Sequence, residues 1–178
     1  MPLFLVRHAK AGKRSEWKDD DSTRPLDEKG WAQANAIGVR IAALSPTSLV
    51  SSPFLRCSQT LEPLATLTGL SVRTDERLAE GIDFLHCVEW LSTLSEGTVA
   101  CSHGDVIPPV IEALERRGMQ VEGMRDSRKA SVWVLEREGD VFVRRVTDGV
   151  LTQLTRDNAA QNSPEFLLDG RLVYREGW

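Results

Sequence analysis

Short apolar runs that stop abruptly at polar residues, each followed by a helix-length segment, limit most strongly what this chain can fold into. Residues 3–6, 48–51, 70–73 and 98–101 are such runs, and the first and last end in Arg7-His8 and Ser102-His103-Gly104. Between them lie segments with helical spacing of apolar residues. Asp27 is a natural N-cap for a helix over 28–44, with Trp31, Ala34, Ile37, Val39, Ile41 and Leu44 as its apolar positions. A second helix is predicted over 54–68, ending at Gly69, with Pro63 expected to kink or break it. Further helices are predicted over 82–94 and over 106–117, where Pro108-Pro109 fit the first turn. Residues 130–136 and 141–146 flank Arg137-Glu138-Gly139-Asp140 and read as a hairpin. Strands alternating with helices imply an α/β domain over residues 1–150, with a doubly wound, mostly parallel sheet flanked by helices and a closing hairpin. Residues 151–178 are more polar and form a C-terminal tail expected to pack on the domain or on a neighbour.

With 178 residues the chain can bury a sizeable core. A net charge of -4 weighs against nucleic-acid binding through global charge but leaves room for a local basic pocket. The three cysteines, Cys57, Cys87 and Cys101, are odd in number and show no CxxC spacing, so neither a disulfide framework nor a zinc site is expected. No leader and no membrane-spanning stretch are expected either, and the reading is of a cytoplasmic protein with reduced thiols.

In open α/β sheets ligands bind at the carboxyl ends of the strands. That rule brings Arg7, His8 and His103 to one edge, and Arg56, in the first turn after the second strand, to the same edge. Two imidazoles and two guanidinium groups around one pocket point to phosphate chemistry. Arg matches phosphate oxygens bidentately, and phosphoryl transfer needs charge stabilisation and positioning above all. A neutral imidazole can attack phosphorus and form a covalent intermediate. Glu80, after the third strand, is the candidate proton donor to the leaving oxygen and base for water. No metal or cofactor is called for, because the arginines neutralise the charge.

These residues also carry a resemblance. Leu5-Val6-Arg7-His8-Ala9, Ser52-Pro53-Phe54-Leu55-Arg56-Cys57-Ser58-Gln59-Thr60 and Ser102-His103-Gly104 resemble, in order, three motifs of the histidine phosphatase superfamily, also called phosphoglycerate-mutase-like. The resemblance covers residues 3–147. It implies a phosphorylated nucleophile at His8, phosphoryl binding by Arg7, Arg56 and His103, and proton donation by Glu80. The small size resembles the SixA branch of phosphohistidine phosphatases. Arg14-Ser15-Glu16-Trp17-Lys18 with Arg24-Pro25-Leu26-Asp27 resembles the phosphatase domain appended to some MutT-type Nudix hydrolases. Ala9 stands where the family usually has glycine, and Arg14 where mutases have asparagine. The large mutase insertion is also missing. The resemblance therefore implies hydrolysis of a phosphorylated small molecule or a phosphohistidine protein, with no nucleic-acid or membrane partner. A mutase-type phosphotransferase and a catalytically silent phospho-ligand binding module are the alternatives.

Beyond the core set, Gly104, Arg14 and Lys10 are candidate phosphate-binding positions, and Lys13 and Lys18 candidate members of a basic rim. Trp17 could stack on a substrate or pack on its own loop. Cys57 reads as a small helical hydrophobe, His86 as a structural residue in an apolar helix, and Asp19-Asp20-Asp21 as a solvated turn.

Overall fold

A computed structural model of the chain describes residues 1–121 and 125–136, together with the backbone at 137–138, 141–143, 165–166 and 172–173. Strands β1 (Leu3–Arg7), β2 (Ser48–Ser51), β3 (Val72–Thr74) and β4 (Thr98–Ser102) alternate with helices α1 (Glu28–Ala42), α2 (Leu55–Thr68) and α3 (Phe84–Leu91). Helix α4 (Ile107–Arg116) and the hairpin strands β5 (Val132–Glu138) and β6 (Val141–Val143) follow. The six strands are ordered β3-β2-β4-β1-β5-β6. β3, β2, β4 and β1 run parallel, while β5 is antiparallel to β1 and β6 to β5. This is the doubly wound, mostly parallel sheet with a closing hairpin that the alternation predicts. Of the tail, β7 (Glu165–Phe166) and β8 (Leu172–Val173) pair with each other, and the remainder of 151–178 lies outside the described residues, as do residues 144–146 of the predicted second hairpin strand.

Each strand feeds two cores by its period of two. Leu3, Leu5, Val50, Ala100, Trp133 and Leu135 pack with α3 and α4 on one face. Phe4, Val6, Leu49, Val99, Val132 and Val134 pack with α1 and α2 on the other. Burial of both faces is why these strands read as unbroken apolar runs and not as alternating ones. Among the described residues, no helix is long and apolar enough to cross a membrane.

Several boundaries and one packing assignment differ from expectation. Helix α1 buries Gly30, Ala34, Ile37, Gly38 and Ile41, leaving Val39 60% exposed and Leu44 beyond the helix end. Two residues past Ile37 is half a turn away, so Val39 falls on the outer face. Helix α2 runs through Pro63 without interruption. Interior proline costs a helix about 3 kcal/mol, and packing against α1 offsets it. A Cβ on Gly38 would lie only 3.1 Å from the Pro63 ring carbon, so the two helices meet at a glycine-proline contact. Helix α3 starts two residues late because the Asp83 carboxylate accepts the backbone N–H of Leu85 at 2.9 Å and caps it there. Strand β3 is shifted forward to Val72–Thr74, and His86 is exposed on α3, not part of its packed face.

The first turn of α1 is locked to the segment after β1. The Asp27 carboxylate accepts from Gly30 N at 2.8 Å, and Asp27 N donates to the Lys10 carbonyl at 3.0 Å. A Cβ at Gly30 would sit 1.9 Å from that carbonyl oxygen. Alanine gains about 1 kcal/mol of helix propensity over glycine, far less than such an overlap costs. Gly30→Ala is therefore expected to lower stability by at least about 2 kcal/mol, read as a falling midpoint in denaturant melts.

Candidate active site

The cleft opens at the carboxyl ends of β1 and β4, neighbours in the sheet whose following segments leave in opposite directions. It measures about 500 Å³. Arg7, His8, Lys10, Arg14, Arg24 and Arg56 line it, with Lys129 as a further cation and Glu80 and Asp105 as carboxylates. A chain of net charge -4 thus concentrates positive charge at one point of its surface.

His8 is held there by backbone and side chain together. Its N–H donates to the Ser102 carbonyl at 2.9 Å, continuing the β1–β4 ladder by one residue. The next amide, Ala9 N, donates to Thr60 Oγ1 at 2.9 Å, and that hydroxyl donates to the Arg56 carbonyl at 2.7 Å. The imidazole Nδ1 lies 2.7 Å from the Ala9 carbonyl, which can only accept, so Nδ1 bears the proton. Nε2, 3.1 Å from Lys129 Nζ, accepts from that ammonium and presents its lone pair to the cleft. Burial first, then the charge of Lys129, drives the imidazole pKa down to about 2, with His103 and Arg56 adding to the effect.

His103 stands edge-on to His8 with ring centroids 5.2 Å apart, and edge-on to Phe54 at 4.8 Å. Ser52 Oγ sits 2.8 Å from its Nε2, and Arg56 Nη2 is 3.4 Å from its Nδ1. Arg56 is 1% exposed. It stacks over Phe54 at 4.6 Å, donates from Nη1 to the Asp21 carbonyl at 2.8 Å and pairs with the Asp21 and Glu80 carboxylates. Arg7 reaches the same cleft over Gly104, where a Cβ would lie 2.4 Å from the guanidinium carbon. Its Nη1 donates to the Ser127 carbonyl, and its Nε has no hydrogen-bond partner among the described residues.

Arg7, His8, Arg56, Glu80, His103, Gly104, Arg14 and Lys10 all meet at the cleft. Lys10 does so with its ammonium paired to Asp27 at 2.8 Å. Arg14 is bidentate to Asp21 and reaches both oxygens of Glu80, which raises its pKa. Lys13 pairs with Glu16 and Trp17 donates to the Asp20 carbonyl, so neither lines the cleft.

One expectation is corrected. Asp21 is not a solvated turn residue: Arg24, Arg14 and Arg56 all pair with it, and their hydrogen bonds and charges hold its carboxyl well below the usual range. Cys57 is buried, as a small hydrophobe would be, but its sulfur lies 3.4 Å from His103 Nε2 and touches the site directly. Sequence reading also missed Lys129 and Arg24 as cleft residues. The signal for Lys129 was a lysine just before a strand antiparallel to β1, since such a strand begins where its parallel neighbours end.

Residues 3–84, spanning His8, Arg56 and Glu80, match the model of the histidine phosphatase superfamily, branch 1. An 8-oxo-(d)GTP phosphatase of Mycolicibacterium smegmatis is 35% identical over 139 residues, which are 75% of this chain and 43% of that protein. A probable phosphoglycerate mutase GpmB of Salmonella choleraesuis is 35% identical over 81 residues, 45% of this chain and 38% of the mutase. The chain thus spans less than half the length of these curated relatives. The protein histidine phosphatase SixA, solved with tungstate, shares the fold with a TM-score of 0.60 at 22% identity, over 76% of this chain and 88% of that one.

A histidine with an ordinary pKa near 6.5 is almost wholly protonated at pH 5. His8, held down to about 2, stays neutral there. Long-range nitrogen–proton spectra at pH 5 are expected to show it as the Nδ1–H tautomer. Because its folded pKa lies below the unfolded one, the unfolded chain binds the extra proton between those values. His8 therefore costs the fold stability as pH falls below about 6.5, and His8→Gln is expected to flatten that part of the acid-stability curve.

Proposed function

From the match of residues 3–84 to the histidine phosphatase superfamily, we propose that this chain is a phosphatase of that superfamily, working through a phospho-His8 intermediate without a metal ion. The observation that carries the reading is the state of His8: a neutral imidazole, anchored through Nδ1–H, with its Nε2 lone pair facing a cleft ringed by cations. In the first step the Nε2 lone pair attacks phosphorus and the bond to the leaving oxygen breaks. Arg7, Arg56 and His103 stabilise charge on the transferring group, and Glu80 gives its proton to the leaving oxygen. In the second step Glu80 takes a proton from water, which attacks phosphorus and frees the histidine.

Glu80 faces the cleft, with one carboxylate oxygen 3.9 Å from His103 Nδ1. A catalytically silent binding module has no use for that placement. Arg14, standing where mutases have asparagine, ties down Glu80 and Asp21 and favours hydrolysis over phosphate exchange between hydroxyls.

The substrate class follows from the loop over 10–24. Gly12, Arg14 and Arg24 line the cleft, and the Asp21 carbonyl accepts from the buried Arg56. A loop folded onto the cleft favours a small phosphorylated molecule over a phosphohistidine on a protein surface. The volume of about 500 Å³ falls in the range of small-molecule sites. The relative named as an 8-oxo-(d)GTP phosphatase puts nucleotides first among the compounds to assay. All three cysteines are free and buried, in keeping with the reducing cytosol we assign to the protein.

Hydrolysis of an aryl phosphate in the presence of a chelator tests the reading. Turnover should persist with chelator, vanish in His8→Ala and fall about 100-fold or more in Arg56→Ala. Glu80→Gln should cost more with an alkyl phosphate than with an aryl phosphate, whose leaving group needs less protonation. Chelator-sensitive turnover, or turnover surviving in His8→Ala, would refute the mechanism.

A further inference from the structure

We propose that Lys129 is a further catalytic residue of this site, one that fixes the attacking nitrogen of His8 and then carries its hydrogen bond across to an oxygen of the phosphoryl group on that nitrogen. The inference rests on the phospho-His8 reading and adds to it a third cation, which no sequence motif marks.

Three observations carry it. First, Lys129 Nζ lies 3.1 Å from His8 Nε2, the atom that forms the new bond, and lines the cleft. A lysine there lies beside the position that the phosphoryl oxygens must take. Second, no carboxylate lies within ion-pairing distance of this ammonium among the described residues, whereas Lys10, Arg14, Arg24 and Arg56 each hold one. A half-buried ammonium whose close partner among the described residues is a neutral nitrogen is short of negative charge there, and a phosphoryl group supplies it. Third, the backbone places it deliberately. Ala130 adopts φ 66°, the left-handed region that strains a non-glycine residue. Its N–H donates to the His8 carbonyl at 3.2 Å, and Arg7 N donates to the Ser131 carbonyl at 2.9 Å, so the strained turn is pinned to the end of β1. Strain kept next to the nucleophile is strain kept for position.

The step balances without new reactants. The Nε2 lone pair forms the nitrogen–phosphorus bond, the pair of the breaking phosphorus–oxygen bond goes to the leaving oxygen, and Glu80 supplies that oxygen's proton. Lys129 keeps its protons throughout. Its flexible four-carbon stem lets the ammonium move from nitrogen to oxygen as phosphorus approaches. In the second step the same ammonium offsets the charge that water brings to the phosphorus.

The described groups facing Lys129 are His8, Arg7, Arg56 and Arg24, with Glu80 opposing them. Burial first, then those arginines, lowers its pKa to about 8. The proposal needs the charged form, so kcat/KM should fall as pH rises through about 8.

The test compares Lys129→Met, Lys129→Arg and His8→Ala, each confirmed as folded by its thermal melt, on the same aryl phosphate. Lys129→Met is expected to lower kcat about 100-fold, with a smaller change in KM, and Lys129→Arg to recover most of that loss. Since a guanidinium stays charged, the alkaline fall of kcat/KM near pH 8 should disappear in Lys129→Arg. Lys129→Met within threefold of the unaltered chain, with His8→Ala inactive, overturns the proposal and leaves the phospho-His8 reading standing. An unchanged alkaline limb in Lys129→Arg overturns it as well, even if the methionine variant fails to fold. Activity in His8→Ala removes both.

Discussion

The site depends on keeping one guanidinium charged where almost no water reaches it. Arg56 is 1% exposed, and an unpaired ion at that depth would cost several kcal/mol. Asp21, Glu80 and the face of Phe54 prevent this, and each comes from a different part of the chain. The cost of burying Arg56 is thereby converted into tertiary order. The loop over 10–24 folds inward because Asp21 belongs on Arg56, Arg14 and Arg24. Glu80 is held over the cleft by Arg14 and Arg56. The loop carries no long apolar run of its own, so this ionic contact shapes it more than packing does.

Topology supplies the rest. β1 and β4 are adjacent and parallel, so their last residues face each other in register, Arg7 opposite Ser102. His8 and His103 follow directly and come within ring contact although 95 residues separate them in the chain. Helix α2 braces this edge from one side. Thr60 accepts from Ala9 N, and Gln59 accepts from Leu26 N at 2.9 Å, so both ends of the loop hang on adjacent side chains of one helix. Ser52, Arg56, Gln59 and Thr60 thus act as a single scaffold with four separate contacts.

Much of this was legible in the sequence, and what was not has a common cause. Strand ends and helix caps are local, and Asp27, Gly69 and the apolar runs announced them. Arg7, His8, Arg56 and His103 were legible because one topological rule sends strand ends to one edge. Asp21 was not, because its partners are 7, 3 and 35 residues distant and nothing local tells a paired aspartate from a solvated one. Lys129 was hidden for the same reason: its meaning comes from the antiparallel pairing of β5 with β1, a long-range contact. Pro63 misled in the opposite direction, since the local penalty is real while the packing of its ring against Gly38 comes from another helix.

On the proposed mechanism the cations of the cleft serve two ends that cannot be tuned apart. A nucleophilic imidazole must be unprotonated, and a phosphoryl group must be met by positive charge. Lys129 and Arg56 help depress the pKa of His8, and the same field draws an anion to its Nε2. Burial strengthens both effects, because it removes the water that would screen them. It also makes the arrangement vulnerable, since a guanidinium as deep as Arg56 needs an anion in the resting protein. Glu80 fills that need on Arg56 and Arg14 in the free protein. On the proposed mechanism a phosphoryl group takes over those cations, and Glu80 loses its two arginine partners as substrate arrives. Charge neutralisation of the resting site and release of its carboxylate are then one exchange of partners.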